Sequence, residues 1–69
     1  MKLTPNKFYK LTFNIKNNLI TFTCKVLSDD GGFIEFIDKF GEKLTYSKRY
    51  LVLFKEINES ELNFKKGNN

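Results

Sequence analysis

The sequence predicts an all-β domain of five short antiparallel strands, strongly bent into a small barrel. Three observations carry this. Apolar and polar residues alternate from Tyr9 to Val26, the period of a half-buried strand. Turn-forming clusters recur every eight to twelve residues, the spacing of a small all-β meander. Eight Phe and three Tyr supply large apolar blocks to a chain of 69 residues.

The first hairpin is written most clearly. Tyr9, Leu11, Phe13 and Ile15 alternate with Lys10, Thr12, Asn14 and Lys16. Ile20, Phe22, Cys24 and Val26 alternate with Thr21, Thr23 and Lys25. Asn17-Asn18 lies between, and asparagine tolerates left-handed backbone. A strand over 8–15 and another over 19–27 follow. With Asn17-Asn18 as a two-residue turn, Phe13 faces Phe22, Leu11 faces Cys24, and Lys10 falls opposite Lys25. Residues 1–7 read as a polar lead-in.

Asp29-Asp30-Gly31-Gly32 is the next turn, and strand 33–38 follows. Pairing Val26 with Ile34 keeps the apolar faces together. It leaves a three-residue loop with Gly31 in the left-handed position. Glu35 then sits opposite Lys25, so a row Lys10, Lys25, Glu35 is expected on the outer face. Lys39-Phe40-Gly41-Glu42 turns into a short strand over 43–46, with Leu44 and Tyr46 inward. Ser47-Lys48-Arg49 has room for one tight turn. The strand over 50–57 is nearly all apolar, which suggests burial on both sides or pairing with another subunit. Beyond it, Asn58 or Ser60 is placed to cap one turn, Phe64 to pack back, and 65–69 to fray.

Composition bounds the function. A chain this short is one domain with a marginal core, and oligomerisation is a common remedy. One cysteine cannot form an internal disulfide, and with no histidine the usual zinc ligand sets are excluded. The N-terminus lacks the apolar region of a signal peptide, and no run is long enough to span a bilayer. A cytoplasmic protein without cofactor, metal or membrane association is the expectation. The net charge of +4 favours polyanionic partners.

Catalysis is not expected. The commonest general base is absent, and Cys24 reads as a buried thiol. Asp29, Asp30, Glu35, Asp38 and Glu42 fall near turns or on the outer face, and the Asp-Asp-Gly-Gly turn lacks the spaced ligands of a calcium loop. Two clusters interleave cations with rings, the combination that holds phosphates and stacks bases. One is Tyr46-Ser47-Lys48-Arg49-Tyr50. The other gathers Phe33, Lys39, Phe40 and Lys43. Lys48, Arg49, Lys43, Lys39 and Lys10 are the expected phosphate contacts, with Phe40, Tyr46 or Tyr50 stacking. The competing expectation is a protein-interaction or self-assembling module, such as a phage- or plasmid-type regulator that binds a host protein. Its surface would be Leu27, Phe33 and Ile37, with Leu51 and Leu53.

The order of elements resembles an SH3-like small barrel. The run "VLSDDGGFIEFIDKFGEKLTYSKRYLVLFKEI" is similar to the middle strands of Sm-like (Lsm) proteins. A bent strand leads there through an acidic turn to a strand ending in Asp, then Gly, then a final strand. Asp38 and Gly41 stand at those places. The resemblance implies an RNA-contacting loop at "SKRYLVLF", which lacks the glycine of that family.

Overall fold

The computed structural model describes residues 2–62. It contains β1 (Phe8–Ile15), β2 (Asn18–Asp29), β3 (Phe33–Asp38), β4 (Lys43–Ser47) and β5 (Leu51–Ile57). Short 3-10 turns lie at Lys48–Tyr50 and Glu59–Glu61. The strands form one antiparallel sheet in the order β4-β3-β2-β1-β5. The all-β expectation holds, with β1 and β3 at the expected bounds. Phe64 and 65–69 lie outside the described residues. Asn58 takes the cap position of the last turn but makes no side-chain cap bond.

The first hairpin turns one residue earlier than expected. Lys16 and Asn17 take φ of 53° and 69°, and Ile15 pairs with Asn18. Two left-handed residues in a two-residue loop match the right-handed twist of the strands. Phe13 therefore faces Ile20, Leu11 faces Phe22, and Tyr9 faces Cys24. Moving the turn by one residue slides the pairing by two, which leaves every side chain on its original face. Alternation cannot choose between two such registers. Packing does: Phe22 reaches the rings of Phe13, Phe36 and Tyr46 at 6.1, 5.1 and 5.2 Å.

The second hairpin departs from expectation through a bulge. Val26 pairs with Phe36 rather than Ile34, and Asp29 pairs with Ile34, with a register shift between Val26 and Ser28. Leu27 is the extra residue. A bulge reverses alternation beyond it, so Asp29 turns inward with Val26. Gly31 takes the left-handed conformation expected of it, φ 92°. The expected row Lys10, Lys25, Glu35 does not form. Lys10 faces Thr23, Lys25 faces Phe8 and Ile37, and Glu35 faces Ser28 and Thr45.

The lead-in is structured, which its polar composition concealed. Leu3 is buried. The Asn6 N–H donates to the Val26 carbonyl (2.7 Å), and the Val26 N–H donates to the Lys7 carbonyl (3.0 Å). These two bonds extend the β1–β2 ladder backwards.

Leu11, Phe13, Cys24, Val26, Ile34 and Phe36 have no solvent exposure. The rings of Phe13 in β1 and Tyr46 in β4 lie 4.8 Å apart. Their strands stand three places apart in the sheet, about 14 Å if it were flat. The sheet is thus curled around the aromatic cluster. Among the described residues hydrogen bonding does not close it into a barrel, because β4 and β5 stand at its two edges. No helix of the described residues is long and apolar enough to cross a membrane.

Candidate interaction surfaces

An ion pair anchors the turn between β4 and β5. The Asp29 side chain has no solvent exposure. Its carboxylate accepts from the Lys48 ammonium at 2.7 Å, the Leu3 N–H at 2.8 Å and the Gly31 N–H at 2.9 Å. Burial alone would raise the Asp29 pKa; these donors outweigh burial and hold it below the ordinary carboxylate value. The bulge at Leu27 aims Asp29 inward, and the Lys48 N–H bonds the Gly32 carbonyl (2.9 Å). Lead-in, β2–β3 loop and β4–β5 turn are joined at this point.

This arrangement divides the expected basic cluster at 46–50. Lys48 points inward to Asp29. Tyr46 is half-buried against Phe13, Phe22 and Phe36. Arg49 and Tyr50 face solvent, with the guanidinium 5.8 Å from the ring centre. Lys10, Lys43, Lys39 and Phe40 lie elsewhere. Lys43 begins β4 and Lys48 follows its end, about 15 Å along an extended strand. The structure therefore separates the eight expected contacts into two groups.

The strand β5 is not buried on both sides. It pairs with β1 alone among the described residues. The expected start at Tyr50 is one residue early, because Tyr50 closes the 3-10 turn. A register shift places Leu51 opposite Phe13 and Leu53 opposite Thr12, so Val52 is extra. Val52 is 55% exposed and Leu53 64%, and Tyr50 and Phe54 are also exposed. Leu3, Lys48, Leu51, Val52, Leu53 and Phe54 line a cleft of about 210 Å³ beside this edge. Of the other expected interface residues, Phe33 is exposed while Leu27 and Ile37 are half-buried.

The outer face of the sheet carries a lysine pair that the sequence reading missed. Lys10 in β1 faces Lys55 in β5 directly. Like charges in facing positions repel. Lys43 reaches Glu35 at 3.1 Å, and the Lys25 ammonium lies 6.0 Å from the Phe8 ring centre. Finding the Lys10–Lys55 pair requires knowing that β5 returns beside β1, a contact between residues 45 positions apart.

Asp29 and Asp38 stand at turns, as expected, ending β2 and β3, and both are buried rather than exposed. Asp38 accepts the N–H groups of Phe40 and Glu42, both at 2.9 Å. Asp30 accepts those of Gly32 and Phe33 at 2.8 and 2.7 Å. Both serve as turn braces. Burial, reinforced by the charge of Asp38, pushes the Cys24 thiol up to about 12. Such a thiol is protonated at neutral pH and a poor nucleophile. Among the described residues no three Cys, Asp or Glu gather as metal ligands. Comparison with family models, curated proteins and solved structures finds no match for this chain.

Proposed function

We propose that this chain is a non-enzymatic binding module that acts through the β5 edge, and that the occupant of this edge is a strand from a second copy. The carrying observation is the exposure of Val52 and Leu53 on a strand that has one neighbour among the described residues. An apolar edge of this kind is a template for another strand. Added area would compensate for the small core. The chain also presents β4, a second edge, so each copy carries both sides of an edge-to-edge contact. The sheet order, with a 3-10 turn leading into β5, supports reading the fold as an SH3-like small barrel.

Sedimentation velocity over a hundredfold range of concentration tests the proposal. Self-association that Leu53→Lys abolishes is the expected result. A dimer would match a two-fold β5–β5 contact, and a larger closed ring a head-to-tail β4–β5 contact. A monomer at every concentration removes the reading.

A further inference from the structure

We propose that the outer face around Lys10 and Lys55 binds the phosphate backbone of a single-stranded nucleic acid. This does not rest on the self-association reading, because an added strand at the β5 edge leaves Lys55 on the sheet face.

The register makes the site. Lys10 faces Lys55 on one side and Thr23 on the other. Both lysines are exposed. Among the described residues no carboxylate lies within ion-pair distance of either. Glu56, which alternates to the opposite face of β5, lies 4.0 Å from Lys7, and at the far end of the row Asp38 is occupied by the N–H groups of Phe40 and Glu42. Facing lysines destabilise a sheet unless an anion lies between them. The next row along the strands holds Thr12 and Thr21, whose hydroxyls meet at 2.9 Å, a neutral hydrogen-bonding floor.

A ring stands on the same row. Asp38 pairs with Cys24, so the loop that follows it comes level with Thr23 and hence with Lys10. That loop carries Lys39 and Phe40. Phe40 is 74% exposed, and the Lys39 ammonium lies 5.5 Å from its ring centre. Lys55, Lys10, Thr23 and the Lys39–Phe40 loop therefore cross the outer face in one line. Cations along a line with a solvent-exposed ring at its end suit a strand whose phosphates follow the lysines and whose base stacks on the ring. A duplex offers phosphates but keeps its bases stacked, so it would leave Phe40 unused.

The probe is a fluorescein-labelled ten-nucleotide oligouridylate, titrated by anisotropy at 50 and 200 mM salt. The double variant Lys10→Gln, Lys55→Gln is expected to bind about tenfold more weakly or worse at 50 mM, with a salt slope shallower by about 1.4. Phe40→Ala is expected to weaken binding about fivefold or more. The control, Lys2→Gln with Lys16→Gln, loses the same charge away from this row and should stay within about twofold of the parent. The single variant Lys55→Gln with an unchanged circular dichroism spectrum guards against misfolding. Equal loss in the control would mean diffuse attraction by net charge and overturns the proposal. So does the absence of binding at 50 mM, or binding to phosphatidylserine vesicles with none to the oligonucleotide.

Discussion

The ammonium of Lys48 lies 2.7 Å from a carboxylate oxygen of Asp29 that is closed off from solvent. Nineteen residues separate them in sequence. The pair ties the β4–β5 turn to the end of β2 and the loop that follows it.

Removing Lys48 strands a buried carboxylate. Lys48→Ala is expected to cost about 3 kcal/mol in urea denaturation, the scale for breaking a buried pair. Asp29→Leu combined with Lys48→Met should recover much of that loss, since the apolar pair leaves no charge unpaired. A double variant as unstable as the single one would show that the Leu3 and Gly31 N–H groups depend on Asp29 more than Lys48 does.

The same site sets an acid limb. The Asp29 pKa is depressed on folding. Below the ordinary carboxylate value of about 3.9, the unfolded chain takes up a proton that the folded chain refuses. The contribution is therefore complete above about pH 4 and is lost as pH falls through the folded value. Asp30, also depressed by the N–H groups of Phe33 and Gly32, acts in the same direction. Asp29→Asn should flatten the fall in thermal midpoint between about pH 4 and pH 2. A residual slope from Asp30 should remain.

The hairpin turn distinguishes two registers that alternation leaves equivalent. Asn-Gly is the favoured pair where both central residues are left-handed. Lys16→Asn with Asn17→Gly should stabilise the chain by about 0.5–1 kcal/mol. Asn18→Gly places glycine in the first strand position and should destabilise it by a similar amount, about 0.5–1 kcal/mol. The opposite outcome in thermal denaturation would restore Asn17-Asn18 as the turn.

The Cys24 thiol should be silent in the folded chain. With its pKa pushed up to about 12, alkylation at pH 8 should proceed only through unfolding. Mass spectrometry in increasing urea should show modification rising with the unfolded fraction. Alkaline conditions add a sign. From about pH 9 the unfolded thiol ionises while the folded one keeps its proton, so stability should decline as pH rises.

Much of the architecture is legible in the residues. Alternation in β1 and β2 marks the inward set Tyr9, Leu11, Phe13, Ile15, Ile20, Phe22, Cys24 and Val26. Tyr9, Leu11, Phe13, Cys24 and Val26 are buried, Ile15 and Phe22 half-buried, and Ile20 near the hairpin tip is exposed. Glycine at 31 marks a left-handed turn. These are local properties, carried by a period of two or by one backbone angle. The site was less legible. Asp29 reads as a turn acid because nothing nearby in sequence announces the bulge at Leu27 that reverses its direction. Leu3 reads as part of a polar tail because its partners lie in β2 and beyond β4. Lys48 reads as an exposed cation until Asp29 is placed beneath it.

By itself, then, the sequence determines that this chain is all-β, which strands it forms and which face of β1 and β2 is apolar. Those follow from side chains alternating along an extended backbone. Tertiary structure alone decided the register, the two bulges, the Asp29–Lys48 pair and the facing of Lys10 with Lys55. Register slips of two residues keep every face intact, so the choice falls to the Phe13, Phe22, Phe36 and Tyr46 cluster. Charges far apart in the chain acquire their meaning only after the curled sheet has brought β5 beside β1.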